Sequence, residues 1–293
     1  MTETQKSQSG RRLIAITGAT GGLGKIICSY LAESSDFIFL DRNEKKSKAL
    51  ANEIRAAFPE CEISRIECEL SDIESVKSAA EELSRRKIDV LFLNAGVYNV
   101  PLVKCSTGYN NVFQINFVSQ YYLATELVSK GAVRKVVVTS SVAHRYGVAD
   151  FSDVDYSTRK KSSAIYGNAK RFLTFALYGF FNDGNKNRHG AELCVAHPGV
   201  TLTNMTNHYP KFINPIVKLG IKIFFPSPKK ACRSLIGAVD DSCDFGEWIG
   251  PSVFDVWGAP KKSRILPEEA NTPKNAKLLA EAEKIYEYAE RKN

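Results

Sequence analysis

Tyr166 and Lys170 are four residues apart in the segment YGNAK, a spacing that places both side chains on one face of a helix. A free tyrosine has a pKa of about 10, but a nearby ammonium group favours the phenolate and lowers that pKa. Such a pair could transfer a proton to or from the oxygen of a carbonyl or an alcohol. Ordinary exposed helical pairs share the spacing, so the surrounding motifs decide the interpretation.

A glycine-rich turn, TGATGGLG, runs from Thr17 to Gly24 directly after a short apolar run. Its spacing, with Gly18 and Gly22 before Gly24, differs from G-x-G-x-x-G. Glycines permit a tight turn and a close approach of the backbone to a pyrophosphate, and a helix beginning near Leu23 would favour negative charge at its N-terminus. The turn therefore favours a dinucleotide site, although glycine also occurs at strand–helix junctions for geometry alone.

An acidic residue is expected about 20 residues beyond such glycines, where it accepts the adenosine ribose hydroxyls. Asp41 occupies this position, just after the apolar run FIFL. A carboxylate there repels a 2′-phosphate, so Asp41 predicts a preference for NAD(H). Arg42 follows directly and could bind that phosphate, which leaves NADP(H) open. The same residues could instead cap the next helix.

Short apolar runs alternate with amphipathic ones through the first two thirds of the chain, a pattern typical of βαβ units and a parallel sheet. The sequence therefore predicts an α/β fold with a doubly wound parallel (Rossmann) sheet in a three-layer α/β/α sandwich. A late edge strand is expected around the segment GPSVFDVWG. The predicted strands are 13–17, 37–40, 63–67, 88–93, 134–139 and 192–196, and the helices between them are 23–33, 44–57, 71–86, 110–129 and 163–181.

Polar and glycine residues follow the predicted strands in a regular order. The run VVVTSS places Ser141 at the end of the fifth strand, and the triplet Asn94-Ala95-Gly96 ends the fourth. Asn116 lies in the next helix, and PGVTLT follows the sixth strand. Because parallel strands end at one edge of the sheet, we expect these groups to meet in one crevice.

In these motifs and their order, the chain resembles the short-chain dehydrogenase/reductase family over about residues 12 to 205. The resemblance implies that Tyr166 is the general acid/base. Lys170 would hold the nicotinamide ribose and lower the tyrosine pKa. Ser141, rather than its neighbour Ser140, would hydrogen-bond the reacting oxygen, and Asn116 would anchor a water in the proton relay.

The resemblance also implies a nicotinamide dinucleotide cofactor and no metal. The backbone from Pro198 to Val200 would lie against nicotinamide, and Thr203 would bond its carboxamide. The implied cofactor-binding positions are Thr17, Gly18, Gly22, Leu23, Gly24, Asp41, Arg42, Glu69, Leu70, Asn94, Ala95, Gly96, Tyr166, Lys170, Pro198, Gly199, Val200 and Thr203.

Two positions depart from the family pattern. Leu93 replaces the first Asn of N-N-A-G, and Glu69-Leu70 replaces an Asp-Leu pair that contacts adenine, so that contact is in doubt. The long polar stretch between Ser141 and Tyr166 resembles the retinol-dehydrogenase-like and hydroxysteroid-acting branches.

These features predict an NAD(P)-dependent oxidoreductase that interconverts a secondary alcohol and a ketone. The alternatives are a retinol-dehydrogenase-like reductase and a non-catalytic dinucleotide sensor. The segment after Thr203 would bind a bulky hydrophobic substrate such as a hydroxysteroid, or else form a subunit interface or rest on a membrane surface. Its apolar residues are Phe212, Ile213, Ile216, Val217, Leu219, Ile221, Ile223, Phe224 and Phe225.

The 293-residue chain is expected to form a polar arm (1–11) and one domain (12–293), with a substrate loop at about 198–228 and a C-terminal helix at about 276–290. Its net charge of +8 comes from dispersed lysines, which argues against nucleic-acid binding. The seven cysteines are interpreted as reduced buried thiols. Without a signal-peptide core or an apolar span, a cytoplasmic location is expected, with peripheral membrane contact left open. The resemblance further implies a homodimer or homotetramer.

Overall fold

The computed structural model describes residues 10–183, 186–187, 190–199, 226–265 and 273–291. Within these residues, eight strands form one sheet in the order β8-β7-β6-β5-β4-β1-β2-β3, parallel except for the antiparallel β7–β8 pair. The strands are β1 (Arg12–Thr17), β2 (Ser35–Asp41), β3 (Ile63–Glu67), β4 (Ile88–Leu93), β5 (Val133–Thr139), β6 (Glu192–Ala196), β7 (Glu247–Val253) and β8 (Trp257–Arg264).

Helices cover both faces of the sheet, as the alternating pattern predicts. A 3₁₀ helix (Val142–Tyr146) follows β5, and Asn182–Asp183 pairs with Lys186–Asn187 in a short hairpin. The helix α4 comprises Asn111–Phe113, a π-helical turn (Gln114–Val118) and Ser119–Ser129. The remaining helices are α1 (Gly22–Leu31), α2 (Glu44–Ala57), α3 (Ile73–Ser84), α5 (Ser162–Phe181), α6 (Pro228–Asp240) and α7 (Pro273–Arg291).

The sheet is apolar on both faces because neighbouring residues of a strand point to opposite sides. Phe37 and Phe39 of β2 pack with residues of α1, α2 and α6, whereas Ile38 and Leu40 pack on the side of α3, α4 and α5. The predicted three-layer α/β/α sandwich is therefore confirmed. None of the helices in the described ranges is long and apolar enough to cross a membrane.

The last third of the chain differs from expectation in two places. The predicted late edge strand is a hairpin, because Phe254 and Asp255 adopt positive φ angles of 50° and 57° and turn the chain between β7 and β8. The interpretation of all cysteines as free thiols is wrong for two of them. Cys194 of β6 and Cys243, whose Cα atoms are 5.0 Å apart, form a disulfide because the loop before β7 returns alongside β6.

A buried lysine joins the sheet to α6. Lys135 of β5 is 2% exposed, and its ammonium donates hydrogen bonds to the carbonyls of Val239 (3.0 Å) and Asp241 (2.5 Å) at the C-terminal end of α6. A cation at this end interacts favourably with the helix dipole. Burial lowers the pKa of Lys135, and the two carbonyls together with the Glu192 carboxylate, 3.8 Å from the ammonium, compensate for that burial.

We expect Lys135→Met to lower the free energy of unfolding by about 2 kcal/mol, because two buried carbonyls lose their charged donor. Urea denaturation measures the effect. The matched control is Arg134→Gln, since Arg134 on the same strand is exposed and its guanidinium lies 3.7 Å from the Asp89 carboxylate. The control should change stability by less than about 0.5 kcal/mol. Equal losses in both variants would show that Lys135 does not anchor α6.

Candidate active site

The cleft lies at the carboxyl ends of the parallel strands. A cavity of about 540 Å³ extends along this edge from the residues after β3 to those after β6. Its centre is the junction of β1 and β4, where the strand order reverses and successive crossovers go to opposite faces. Open α/β sheets bind ligands at such a switch point.

The glycine turn forms one wall of the cavity, as predicted. Gly18 has φ +69°, and a Cβ on Gly24 would lie only 2.1 Å from the Gly18 carbonyl oxygen. The helix α1 begins at Gly22 and is preceded by Gly21, which provides no side-chain cap. The first turn of α1 thus presents uncapped N–H groups beside the cavity, which suits an anionic group.

Two of the predicted cofactor positions, Thr17 and Asn94, hold the ends of β1 and β4 together, and for Asn94 the resemblance also implies this role of holding the sheet. Thr17 is fully buried and does not line the cavity. Its hydroxyl accepts hydrogen bonds from the backbone N–H groups of Asn94 and Ala95, both at 3.0 Å. Asn94 does line the cavity, but its side-chain amide donates to the carbonyls of Thr17 and Gly18. Sequence order alone could not separate these supporting contacts from ligand contacts.

Asp41 lines the far end of the cavity and also binds α2. One carboxylate oxygen accepts from the N–H of Asn43 (2.9 Å) and lies 3.6 Å from Arg65 Nε, while the other is hydrogen bonded to the hydroxyl of Ser47. The carboxylate thus ties the start of α2 to β2, as the helix-cap alternative expects, and the ribose contact stays a prediction for a residue that lines the cavity.

Arg42 and Glu69 form an ion pair at the same end of the cavity. The Arg42 guanidinium lies 2.9 Å from one Glu69 oxygen, and the other oxygen accepts from the hydroxyl (2.7 Å) and the N–H (3.1 Å) of Ser71. Burial raises the pKa of Glu69, but hydrogen bonds from Ser71 and Arg42 outweigh it and lower the pKa below its ordinary value. Leu70, also predicted, lines the cavity beside Glu69.

The predicted catalytic side chains meet at the opposite end. Lys170 is 1% exposed, and its ammonium donates to the Thr139 carbonyl at 2.8 Å and lies 5.8 Å from the centre of the Tyr166 ring. Ser141 precedes the 3₁₀ helix and forms a side-chain hydrogen bond with Tyr166. The alternative serine, Ser140, is buried with its hydroxyl 2.8 Å from that of Thr174. Ser141 is thus the serine that faces Tyr166.

Burial sets the protonation of this pair. It raises the pKa of Tyr166 well above its ordinary value, with the hydrogen bond from Ser141 acting in the opposite direction and Tyr98 adding to the rise. Burial also lowers the pKa of Lys170 to about 7. Desolvation thus raises the tyrosine pKa, in contrast to the lowering by Lys170 that the resemblance implies.

Asn116 supports the site from behind. It is fully buried in the π-helical turn of α4 and does not line the cavity. Its side-chain amide donates to the carbonyls of Val97 (2.9 Å) and Val112 (2.8 Å), and its oxygen accepts from the N–H of Val97 (3.2 Å). A Cβ on Gly96 would lie 2.7 Å from Asn116 Oδ1 and 3.8 Å from Lys170 Nζ. Asn116 thus fixes the segment after β4 close to Lys170.

Several lining residues escaped the sequence analysis. Tyr98 packs edge-on against Tyr166, with ring centres 5.4 Å apart. It stands two residues after the Asn-Ala-Gly triplet, a position that could have indicated it, whereas no motif indicated Tyr146. Val200, Thr203 and the apolar segment around residues 212–225 lie outside the described residues. The further lining residues near Tyr166 are Val97, Ile115, Val142, Ala143 and Ser163.

The cavity fits a dinucleotide. Its volume lies within the usual range of about 300–1,000 Å³ for small-molecule sites. A Cβ on Gly18 would lie 2.9 Å from the Ala95 Cα, and one on Gly24 only 2.1 Å from the Gly18 carbonyl oxygen, so these glycines let the turn pack tightly beside the N-terminus of α1, where a phosphate group would approach. Of the predicted cofactor positions, those that line the cavity are Gly18, Gly22, Leu23, Gly24, Asp41, Arg42, Glu69, Leu70, Asn94, Ala95, Gly96, Tyr166, Lys170, Pro198 and Gly199.

Curated relatives share this sequence pattern at low identity. Human retinol dehydrogenase 14 is 26% identical over 77% of this chain and 73% of its own length. Mouse retinol dehydrogenase 12 is 30% identical over 70% of this chain and 66% of its own length. The 3-keto-steroid reductase/17-beta-hydroxysteroid dehydrogenase 7 of Rattus norvegicus is 25% identical over 67% of this chain and 69% of its own length.

Solved structures share the fold. An uncharacterized protein from Mycobacterium Paratuberculosis aligns with a TM-score of 0.75 and 22% identity, covering 95% of this chain and 94% of that chain. A short-chain dehydrogenase from Sphingobium yanoikuyae in complex with NADPH has a TM-score of 0.58 and 19% identity, covering 78% and 84%. One from Burkholderia phymatum in complex with NAD has a TM-score of 0.56 and 18% identity, covering 78% and 86%.

The family model of short chain dehydrogenases matches residues 12–213, more than half of the chain. This match agrees with the sheet order, with the glycine turn at the switch point, and with Tyr166, Lys170 and Ser141 gathered at one end of the cleft. The chain therefore belongs to the short-chain dehydrogenase/reductase family of NAD(P)-dependent oxidoreductases.

Proposed function

We propose that the protein interconverts a bulky apolar secondary alcohol, such as a hydroxysteroid, and its ketone. The observation that carries this proposal is the apolar and aromatic wall beside Tyr166, formed by Val97, Tyr98, Val142 and Tyr146. Among the described lining residues at this end, Lys170 is the only charged one, and it is bound to the Thr139 carbonyl. Such a wall favours an apolar substrate over a phosphorylated or carboxylated one.

In the proposed reaction, the bound dinucleotide supplies a hydride to the carbonyl carbon or accepts one from the alcohol carbon. In the direction of reduction, the Tyr166 hydroxyl donates its proton to the oxygen as the carbonyl becomes an alcohol. Ser141, which already forms a hydrogen bond with Tyr166, would hold that oxygen. Lys170, whose ammonium lies 5.8 Å from the centre of the tyrosine ring, would hold the nicotinamide ribose and balance charge.

Tyr166→Phe should reduce kcat at least 100-fold, because general acid–base groups contribute about 10²–10⁴-fold. The dissociation constant for NADH, measured by fluorescence, should change less than about threefold, since the ring and its packing remain. Tyr146→Phe is the matched control, because Tyr146 also lines the cavity but is 63% exposed. A Tyr166→Phe enzyme with more than about a tenth of the normal kcat would contradict the proposed role.

NAD(H) is the proposed preferred cofactor, with NADP(H) as the weaker one. Asp41 faces the cavity, and its carboxylate offers about four acceptor positions, of which Asn43 and Ser47 use two. It can therefore accept ribose hydroxyls and disfavour a 2′-phosphate, although Arg65 lies 3.6 Å from the same carboxylate. The competing cation, Arg42, is exposed and paired with Glu69, so a phosphate would have to compete with that carboxylate.

Glu69→Gln should raise kcat/KM for NADPH about tenfold, because it removes the carboxylate that holds and neutralises Arg42. The kcat/KM for NADH should change less than threefold. The double variant Arg42→Ala/Glu69→Gln serves as the control, and it should return NADPH efficiency to the original level. If Glu69→Gln leaves NADPH efficiency unchanged, the ion pair does not restrain Arg42.

The relatives named retinol dehydrogenase favour a second candidate substrate, an apolar aldehyde of retinoid size. Both candidates need the same apolar wall and differ in the carbonyl presented to Tyr166. Turnover of a ketosteroid and of all-trans-retinal under the same conditions would separate them. A protein that binds NADH and turns over neither, nor any other bulky carbonyl, would be the non-catalytic sensor considered above.

Val142→Thr should raise KM for a steroid-sized ketone about fivefold, because a hydroxyl of equal size replaces a methyl group on the apolar wall. KM for cyclohexanone should change less than twofold, since a small ring contacts little of that wall. Steady-state kinetics with both ketones measure the difference. Equal changes in the KM of both ketones would show that Val142 does not contact the substrate. Val112→Thr, at a buried position that does not line the cavity, controls for general destabilisation.

A homodimer or homotetramer and a cytoplasmic location stay predictions of the sequence and its family resemblance. Peripheral contact with a membrane is compatible with both.

A further inference from the structure

Three chain segments meet beside the Tyr166 end of the cavity through one carboxylate. Asp255, in the turn between β7 and β8, places Oδ2 2.9 Å from Nη2 of Arg145 on the 3₁₀ helix. Its Oδ1 lies 3.5 Å from Nε2 of His197, which follows β6. The imidazole Nδ1 in turn accepts a hydrogen bond of 3.2 Å from the N–H of Gly199, a residue that lines the cavity.

The imidazole of His197 has one available position. It is fully buried, and it stacks on the indole of Trp248 with ring centres 3.9 Å apart. Its backbone N–H donates to the Ile249 carbonyl at 2.9 Å. On the other side it contacts Gly250 so closely that a Cβ there would lie 1.8 Å from Nε2. Packing of this kind holds the ring in a single orientation toward Asp255 and Gly199.

The geometry determines which atom donates and which accepts in the contacts among Asp255, His197 and Gly199. Because the Gly199 N–H donates to Nδ1, the hydrogen of the neutral ring resides on Nε2, which faces the Asp255 carboxylate. Burial lowers the pKa of His197 and keeps the ring neutral. Hydrogen bonds from His197 and Arg145 lower the pKa of Asp255 and keep it charged. The Asp255 carboxylate thus lies 3.5 Å from one ring nitrogen of His197, and the other ring nitrogen accepts the N–H of Gly199.

The Gly199 peptide also packs directly against the β7–β8 turn. Gly199 has φ +73°, and a Cβ there would lie 3.1 Å from Pro251 Cγ, 3.1 Å from the Val256 oxygen and 3.2 Å from the Asp255 oxygen. The turn between Pro198 and Gly199 therefore takes its position from the hairpin, although the two are more than fifty residues apart in the sequence.

We propose that Asp255 and His197 are positioning residues that fix the Pro198–Gly199 turn as one wall of the nicotinamide end of the cleft. This inference rests on the proposed function, which places the hydride-transferring half of the cofactor beside Tyr166. Neither side chain contacts the reacting atoms in this role. They act through Gly199. The proposed adenosine end of the cleft, formed by Asp41 and Glu69, does not contact either side chain.

The test compares two ligands that share the adenosine half. NADH carries the nicotinamide ring, whereas ADP-ribose lacks it. Asp255→Gly removes the carboxylate without backbone strain, since Asp255 has φ +57°. It should raise the dissociation constant for NADH about tenfold, the effect of losing one hydrogen bond to a charged group, and leave that for ADP-ribose within twofold. Isothermal titration calorimetry measures both constants.

Asp255→Asn should restore NADH binding to within about threefold, because its amide oxygen still accepts from Nε2–H and asparagine tolerates a positive φ. Phe254→Asn is the control, since Phe254 lies in the same turn, is 85% exposed and has a positive φ that asparagine tolerates. It should leave both constants unchanged. Should Asp255→Gly fail to fold, His197→Asn, whose shorter side chain cannot reach Asp255, should give the same selective loss of NADH affinity.

Equal changes for NADH and ADP-ribose, or no change for either, would overturn the positioning role and leave the proposed function intact. Failure of the unaltered protein to bind NADH at all would instead overturn the proposed function, and the positioning role with it.

Discussion

The cleft depends on one buried hydroxyl, that of Thr17. It accepts the N–H groups of Asn94 and Ala95, both at 3.0 Å, while the Asn94 side chain returns two hydrogen bonds to the carbonyls of Thr17 and Gly18. These bonds join the ends of β1 and β4, where regular pairing stops and the chain leaves toward opposite faces. Beyond the last paired residues, buried N–H and carbonyl groups without a hydrogen-bond partner would lower the stability of the fold. Because the bonds of Thr17 and Asn94 satisfy these groups, β1 and β4 can separate here and leave room for the cleft.

Hydrogen bonds and ion pairs dominate one end of the cleft, and burial of ionisable groups dominates the other. At the Asp41 end, the structure has the uncapped backbone N–H groups of α1 and two ion pairs, Asp41 with Arg65 and Arg42 with Glu69. At the other end, burial dominates and raises the pKa of Tyr166 while it lowers that of Lys170 to about 7. A phenol with a raised pKa keeps its proton until a strongly basic oxygen forms beside it, as happens when a hydride reaches a carbonyl carbon. This state of the site therefore suits proton donation, and proton abstraction requires added positive charge near the tyrosine.

Periodicity was sufficient to predict the sheet, because buried parallel strands are continuous apolar runs and their helices are amphipathic. Motif spacing likewise brought Gly18, Ser141, Tyr166 and Lys170 together, since each follows a strand or lies on the next helix. Contacts between segments that are far apart in the sequence could not be predicted from periodicity or motif spacing. Thr17 was expected to contact the cofactor, yet its hydroxyl is buried and bonded to the backbone after β4. The pairing of Cys194 with Cys243 depends on how the loop before β7 returns to β6. The β7–β8 hairpin was missed because positive φ angles at Phe254 and Asp255 leave no compositional signal.

The contacts that the sequence did not predict have one physical cause, which also explains how the site is held together. Residues that touch the cavity come from short loops directly after strands, and local sequence patterns describe them well. The residues that hold those loops in place come mostly from other segments, Asn116 from a π-helical turn and Asp255 from the turn between β7 and β8, which acts through His197 directly after β6. Their polar atoms bond to backbone N–H and carbonyl groups, which every residue carries, so no side-chain motif marks the partner. The geometry of Tyr166, Ser141 and Gly199 is accordingly a property of the whole carboxyl edge of the sheet.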